Sequence, residues 1–142
     1  MNWSWADAWV LTAAYFTQEN PVSLRALIGA GDAINHAIFT DDELDSGLTR
    51  LNAAGLAQLE GEAIVLTDAA MRLCKDAVET TPYMLEAMKA VEAALRKIDL
   101  TGKEMDPVVV PKPAVVAAIE QYHKDFAREY ADLRKKDDEE PR

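Results

Sequence analysis

The sequence predicts a mainly helical protein, in which three helices, a short β-hairpin and a fourth helix are followed by two C-terminal helices. Apolar residues recur at helical spacing over most of the chain. A strong helix start at Thr40 precedes two short strand-like runs around Gly61-Glu62. Beyond residue 80, two apolar stripes flank a proline-rich segment. With 142 residues, 49% of them hydrophobic, the chain can bury one sizeable core.

The first two helices are predicted from apolar spacing. Ser4 starts the first helix, whose apolar stripe runs from Trp5 to Phe16 and stops at Asn20-Pro21. Ser23 starts a second stripe, which Gly29-Ala30-Gly31 interrupts before it resumes and reaches Ile38. Since glycine weakens a helix interior, this pattern fits one bent helix or two separate ones.

The third helix and the hairpin carry the strongest local signals. Thr40-Asp41-Asp42-Glu43 fits a capping box, and Gly55 suits the end of the helix. Residues 56 to 60 and 63 to 66 are predicted strands around a tight turn. Thr67 is a cap for a fourth helix, whose predicted inner face carries Met71, Cys74 and Val78.

Beyond residue 80 the chain changes character. A fifth helix is predicted from Pro82, then an extended connector over residues 99 to 113, and a last helix from Ala114. We assign residues 1 to 80 to one domain and residues 81 to 136 to a helical extension for packing or dimerisation. Residues 137 to 142 are predicted to be a charged, disordered tail.

The charge of the chain restricts its partners. Twenty-five acidic against 15 basic residues give a formal net charge of -10, which repels phosphate backbones. Cys74 is the single cysteine, so no intrachain disulfide is expected. The sequence shows neither a basic start followed by a long apolar run, as in a leader peptide, nor an apolar run long enough to span a membrane. A cytoplasmic location without a membrane partner is therefore expected.

Residues 40 to 56, the hairpin and Leu66-Thr67-Asp68-Ala69-Ala70 together resemble the winged helix-turn-helix superfamily, which includes the MarR and PadR-like regulators. The resemblance covers about half of the chain. It implies that the third helix corresponds to the recognition helix, which ends in Ala54-Gly55-Leu56, and that the hairpin corresponds to the wing.

The implied DNA surface has an unfavourable charge. Its recognition face would consist of Asp41, Asp42, Asp45, Ser46, Thr49 and Arg50, and its wing tip of Glu60, Gly61 and Glu62. Only Arg50 could make the common bidentate contact to guanine. Residues 1 to 80 hold four basic and twelve acidic residues, and so lack the usual phosphate-neutralising charge. The acidic run from Asp41 to Asp45 is either a docking surface for a basic partner or helix capping.

No pattern typical of catalysis, a cofactor or a metal is found. Gly29-Ala30-Gly31 follows no strand and lacks a third glycine, so it predicts no dinucleotide site. His36 and His123 lack a second ligand at coordinating spacing. Cys74 is predicted to be a small core residue. We therefore expect neither an enzyme nor a cofactor.

The sequence favours a protein partner, and a homodimer is predicted. Trp5 and Trp9 are assigned to the core, whereas Trp3 is the preferred interface tryptophan. The full predicted interface comprises Trp3, Leu85, Met88, Val91, Leu95, Ile119, Tyr122, Phe126 and Tyr130. Whether the C-terminal helices pack within one chain or between chains is left open. The alternative function is that of a sequence-specific DNA-binding regulator.

Overall fold

The computed structural model describes residues 2 to 139, and the side chains of residues 2 to 135. Within this range, a β-hairpin lies between the third and fourth helices, as predicted. The helices are α1 (Trp5–Phe16), α2 (Leu24–Asn35), α3 (Asp41–Ala53), α4 (Asp68–Val78), α5 (Met84–Arg96) and α6 (Lys112–Glu139), and the strands are β1 (Ala57–Glu60) and β2 (Ala63–Leu66).

Two predicted helix caps are confirmed. The Thr40 hydroxyl accepts the Glu43 amide proton over 3.1 Å, and the Glu43 carboxylate accepts the Thr40 amide proton over 2.9 Å. These two bonds form the capping box of α3. At α4, the Thr67 hydroxyl accepts from the amide of Ala70. Local signals therefore set where these two helices begin.

The hairpin is a tight antiparallel pair. Ala57 lies opposite Leu66, and Glu60 lies opposite Ala63. Gly61 has a φ of 62°, a conformation that glycine adopts at low cost in a two-residue turn. A backbone bridge between Val22 and Ile64 also ties the hairpin to the chain that precedes α2.

The Gly29-Ala30-Gly31 segment lies within one continuous helix, which settles the question of one helix or two. Helix α2 ends at Asn35, and His36 follows in the left-handed region, so the predicted stripe to residue 38 is longer than the helix. Gly31 allows the ring of Phe39 to pack directly on the backbone of α2. The carbonyl of Gly31 also accepts the indole proton of Trp9 over 3.0 Å.

Helix α1 lies at the centre of the core. It contacts α2, α3 and α5, and residues 8 to 14 of α1 are all buried. Helix α5 contributes Val91 and Leu95, both fully buried, to the same core. The side chains beyond residue 80 thus complete the interior that the first four helices begin.

Two of the three residues predicted for the inner face of α4 lie off that face. Ala70, Cys74 and Ala77 are buried, whereas Met71 is 37% exposed and Val78 is half-buried. Cys74 is confirmed as a core residue, but the other two assignments are wrong. The hydrophobic pattern favoured the larger side chains, while α4 packs through alanines.

The tryptophan assignments are partly reversed. Trp9 is buried as predicted, but Trp5 is 46% exposed and only stacks on Trp9. Trp3, predicted to lie in an interface, is instead buried, and its indole donates to the carbonyl of Ile98. The segment that precedes α1 is therefore anchored just beyond the end of α5.

The C-terminal segments have slightly different limits from those predicted. Helix α5 begins at Met84 rather than at Pro82, and α6 begins at Lys112 rather than at Ala114. The connector between them lacks helix from residue 103 to 111, as predicted. The backbone of residues 137 to 139 continues α6, so this part of the predicted tail is helical. Residues 140 to 142 lie outside the described residues.

Candidate functional site

The exposed side of α3 is the first candidate surface, because it would read DNA if the resemblance held. Asp41 and Asp42 at its start are exposed, whereas Asp45, Ser46, Thr49 and Arg50 are only partly so. The opposite side of α3 packs into the core through Leu44, Leu48 and Leu51. The partial burial of the outer side therefore needs another cause.

That cause is the connector between α5 and α6, which lies across α3. The amide of Val108 donates to the Thr49 hydroxyl over 2.9 Å, and the amide of Val110 donates to the Asp45 carboxylate over 2.9 Å. Val110 is buried, while Val109 between them is 66% exposed. We call residues 107 to 110 the strap.

The spacing of the strap matches that of the helix. Two residues of extended chain advance about 6.6 Å, and four residues of α-helix advance about 6 Å. Val108 and Val110 can therefore bond to Thr49 and Asp45, which are one turn apart. Lys112 and Asp41 continue the row one turn further with an exposed ion pair at 3.4 Å. The strap runs antiparallel to α3 and covers its centre.

Arg50 is held by a buried partner. Its guanidinium donates to the Asp7 carboxylate over 3.0 Å, and the two side chains are 18% and 1% exposed, respectively. Asp7 also accepts the amide proton of Ser4 over 2.9 Å. The single arginine of the predicted recognition face thus connects α3 to α1 instead of projecting outward.

Little room is left between the strap and α3. A hollow of about 270 Å³ remains, lined by Ser46, Thr49 and Arg50 on one side and by Pro107 to Val109 on the other. The major groove of DNA accepts a whole helix or a two-stranded ribbon. With the strap in place, α3 cannot enter that groove along its central face.

The predicted wing tip lies at a second, larger opening. Glu60, Gly61 and Glu62 are all exposed, and both glutamates line a cleft of about 750 Å³. The other walls are the start of α2 and the first two turns of α6. The hairpin turn predicted as the wing tip is therefore acidic and faces α6.

The predicted interface residues separate into two groups. Trp3, Met88, Val91 and Leu95 are buried in the chain's own core, so they belong to the interior rather than to a surface. Ile119 and Tyr122 are half-buried against the rest of the chain. Leu85, Phe126 and Tyr130 are exposed by 47%, 60% and 56%. Only these three are positioned to meet a partner.

The first half of α6 docks on α2 of the same chain. The Tyr122 hydroxyl donates to the Asp32 carboxylate over 2.7 Å, and Arg25 donates to Asp125 over 2.8 Å. The Arg25 guanidinium also lies over the ring of Tyr122. Gly29 makes room for that ring, since a β-carbon there would lie 3.2 Å from it. The sequence pattern did not identify this polar contact.

Two of these groups have shifted pKa values. The hydrogen bond to Asp32, followed by partial burial, raises the pKa of Tyr122 to about 12. A hydrogen bond from Arg25, and to a smaller extent one from Gln121, lowers the pKa of Asp125. The neutral tyrosine and the ionised aspartate are thus the forms that hold α6 on α2.

We expect this docking to weaken in strongly alkaline solution. The hydrogen bond that raises the pKa of Tyr122 stabilises the folded chain fully below pH 10. This stabilisation is lost as the pH rises from 10 to about 12. Ultraviolet titration of tyrosinate in the wild type, minus that of Tyr122→Phe, should give a difference curve with its midpoint near 12. In Asp32→Asn the corresponding midpoint should move towards 10. A wild-type midpoint near 10 would show that the Tyr122–Asp32 bond is not made.

The histidine, cysteine and acidic side chains form no candidate metal site in the described part of the chain. Residues 2 to 135 contain no group of three histidine, cysteine or acidic side chains that could hold a metal ion. Burial raises the pKa of the Cys74 thiol to about 12, which opposes formation of a thiolate nucleophile. His36 follows the end of α2, His123 lies on α6, and both are exposed.

The fold and these surfaces define a mainly helical, acidic chain, whose third helix is covered by its own connector and whose last helix is only partly docked. Comparison with protein-family models, with curated proteins and with solved structures finds no match. Among residues 2 to 139, no helix combines the length and apolar character needed to span a bilayer.

Proposed function

We propose that this chain is a non-catalytic, winged-helix-type module that acts through protein contacts, including self-association, and not through DNA. The order of three helices, a hairpin and a fourth helix supports the winged-helix assignment. The strap over α3 is the main observation in support of a function that does not involve DNA. In helix-turn-helix proteins the outer face of this helix must be open to the major groove.

Electrostatics supports the same proposal. Asp41 and Asp42 are the exposed residues at the start of α3, and Glu60 and Glu62 form the wing tip. Each of these carboxylates would face phosphate in a winged-helix complex. Since phosphate neutralisation by lysine and arginine supplies most non-specific affinity, the surface opposes the first step of DNA binding.

A titration of random duplex DNA tests this proposal. We expect no change in fluorescence anisotropy at either low or physiological salt. A variant with Asp45→Ala and Thr49→Ala, which loses both hydrogen bonds to the strap, should also fail to bind because Asp41, Asp42, Glu60 and Glu62 remain. Binding by the wild type that weakens steeply with salt would instead support the alternative, a DNA-binding regulator.

Self-association is assigned to the second half of α6. Phe126, Tyr130 and Leu133 are 60%, 56% and 61% exposed and lie on one side of the helix. Glu129 and Arg134 flank this stripe on opposite sides. In a parallel pair of helices, a residue on one edge of the apolar stripe lies next to a residue of the partner helix that is five positions later and on the opposite edge of its stripe. Glu129 of one copy would then meet Arg134 of the other.

Light scattering should therefore give a mass of two 15.7 kDa chains at micromolar concentration. Phe126→Glu should return the mass to one chain, because it places a charge in the apolar stripe. Ala131→Glu adds the same charge on the far side of α6 and should leave the dimer intact. Glu129→Lys should weaken the dimer, and the double exchange with Arg134→Glu should restore it. A wild-type mass of one chain would refute self-association.

A further inference from the structure

The cleft beside the hairpin is a surface that self-association through α6 leaves unused. Its volume is about 750 Å³, in the usual range for ligand sites. Three elements enclose it: the start of α2 at Ser23 to Arg25, the hairpin turn, and α6 from Pro113 to Ala118. The cleft is therefore formed where α6 stands away from the hairpin.

The opening results from small side chains on α6. Further along, the ring of Tyr122 fills the space above Gly29, and α6 contacts α2 closely. Near the hairpin the corresponding positions are Ala114, Ala117 and Ala118, which leave a gap with an apolar lining. Leu24 and Ala63 complete this lining on the opposite side. A segment with small aliphatic side chains would fit such a surface.

The rim of the cleft is negatively charged. Glu60 and Glu62 both line it, and no ion pair among residues 2 to 135 involves either carboxylate. Arg25 is the one cation among the described residues of the lining, and its charge is already paired with Asp125 at 2.8 Å. Two carboxylates thus remain to receive positive charge.

We infer that this cleft binds a basic segment of a partner protein, with small aliphatic side chains on the alanines of α6 and a lysine or arginine between Glu60 and Glu62. The inference rests on the proposed role in protein contacts and specifies the chemistry of the partner. Apolar contact would provide most of the affinity, and the two exposed carboxylates would favour a cationic segment over an acidic one.

A peptide of alternating lysine and alanine, added to the isotopically labelled full-length chain, tests the inference by NMR. We expect shift changes concentrated at Gly61, Ala63 and Ala117, and none with the matching glutamate–alanine peptide. Ala117→Trp should abolish these changes by filling the cleft. Since Ala117 is exposed, this variant should remain folded.

Charge variants separate the cleft from general attraction to an acidic protein. Glu60→Gln with Glu62→Gln should weaken binding about five-fold, a change typical of two exposed ion pairs. Asp76→Asn with Glu79→Gln removes two exposed charges at the C-terminal end of α4 and should leave the affinity unchanged. Shift changes spread over all acidic surfaces, binding retained by Ala117→Trp, or displacement of the peptide by spermine at equal charge concentration would overturn the inference. These outcomes leave the DNA and light-scattering tests unaffected.

Discussion

Replacing Arg50 with methionine is expected to lower the free energy of unfolding by about 3–5 kcal/mol, the usual cost of removing one partner from a buried ion pair. Asp7 is 1% exposed and, among residues 2 to 135, would keep only the Ser4 amide as a donor. The long apolar side chain of methionine preserves much of the packing of arginine. Equilibrium urea unfolding, followed by tryptophan fluorescence, measures the change.

Two further variants isolate the buried charge as the cause. Arg96→Met removes an exposed pair with Glu92, one helical turn away, and should cost no more than about 0.5 kcal/mol. Asp7→Leu combined with Arg50→Met removes both charges and should recover most of the loss. Equal, small losses in Arg50→Met and Arg96→Met would contradict a desolvated pair between α1 and α3.

The position of Arg50 also bears on the proposed function. If its guanidinium left Asp7 to contact a base, it would leave a carboxylate buried without a counter-charge. Binding to DNA would then carry an energetic cost similar to that of the substitution. In the sequence Arg50 resembles a residue that contacts a DNA base. Its ion pair with Asp7 instead supports the proposal that α3 packs within the chain and does not bind DNA.

Features of the fold with local causes could be predicted from the sequence. Thr40 with Glu43 forms a cap within one turn, and Gly61 supplies the turn of a hairpin whose strands adjoin it. Both depend on residues only a few positions apart. For this reason the starts of α3 and α4 and the position of the hairpin were predicted correctly.

Features set by distant contacts could not be predicted. The sequence places Trp5 on the apolar stripe of α1 and Trp3 outside it, yet Trp3 is the buried one, and its indole donates to the carbonyl of Ile98, 95 positions away. Arg50 likewise donates a hydrogen bond to Asp7, which is 43 positions away in the sequence. A signal for the second case did exist, since Asp7 is the one charged residue in the apolar run from Trp5 to Phe16. A charge in such a run needs a partner.

The two halves of α6 show why the sequence left its packing open. Its apolar stripe continues without a break from Val115 to Leu133, although Val115 is buried and Leu133 is 61% exposed. The change occurs after Tyr122 and Asp125, where the polar contacts with α2 end. The periodicity of α6 is the same on both sides of this point, so it contains no information about where docking stops.

Gly31→Ala is expected to destabilise the chain by about 2 kcal/mol, although alanine usually stabilises a helix interior relative to glycine. A β-carbon at this position would lie 2.4 Å from the Cε2 atom of Phe39. The ring cannot move away easily, because it is buried and its centroid lies 4.0 Å from that of Trp9. Any shift of Trp9 would also strain its hydrogen bond to the Gly31 carbonyl.

Gly29→Ala is the matched substitution in the same helix, and we expect a smaller loss. Its β-carbon would lie 3.2 Å from the ring of Tyr122, which is only half-buried and can adjust. Adding Gly31→Ala to Phe39→Leu should cost nothing further, since the smaller side chain can leave room for the new methyl group. Urea unfolding of the four variants distinguishes steric overlap from a general effect of helix propensity. If Gly31→Ala instead stabilised the wild-type chain, helix propensity alone would determine the result. The close contact between α2 and Phe39 would then not exist.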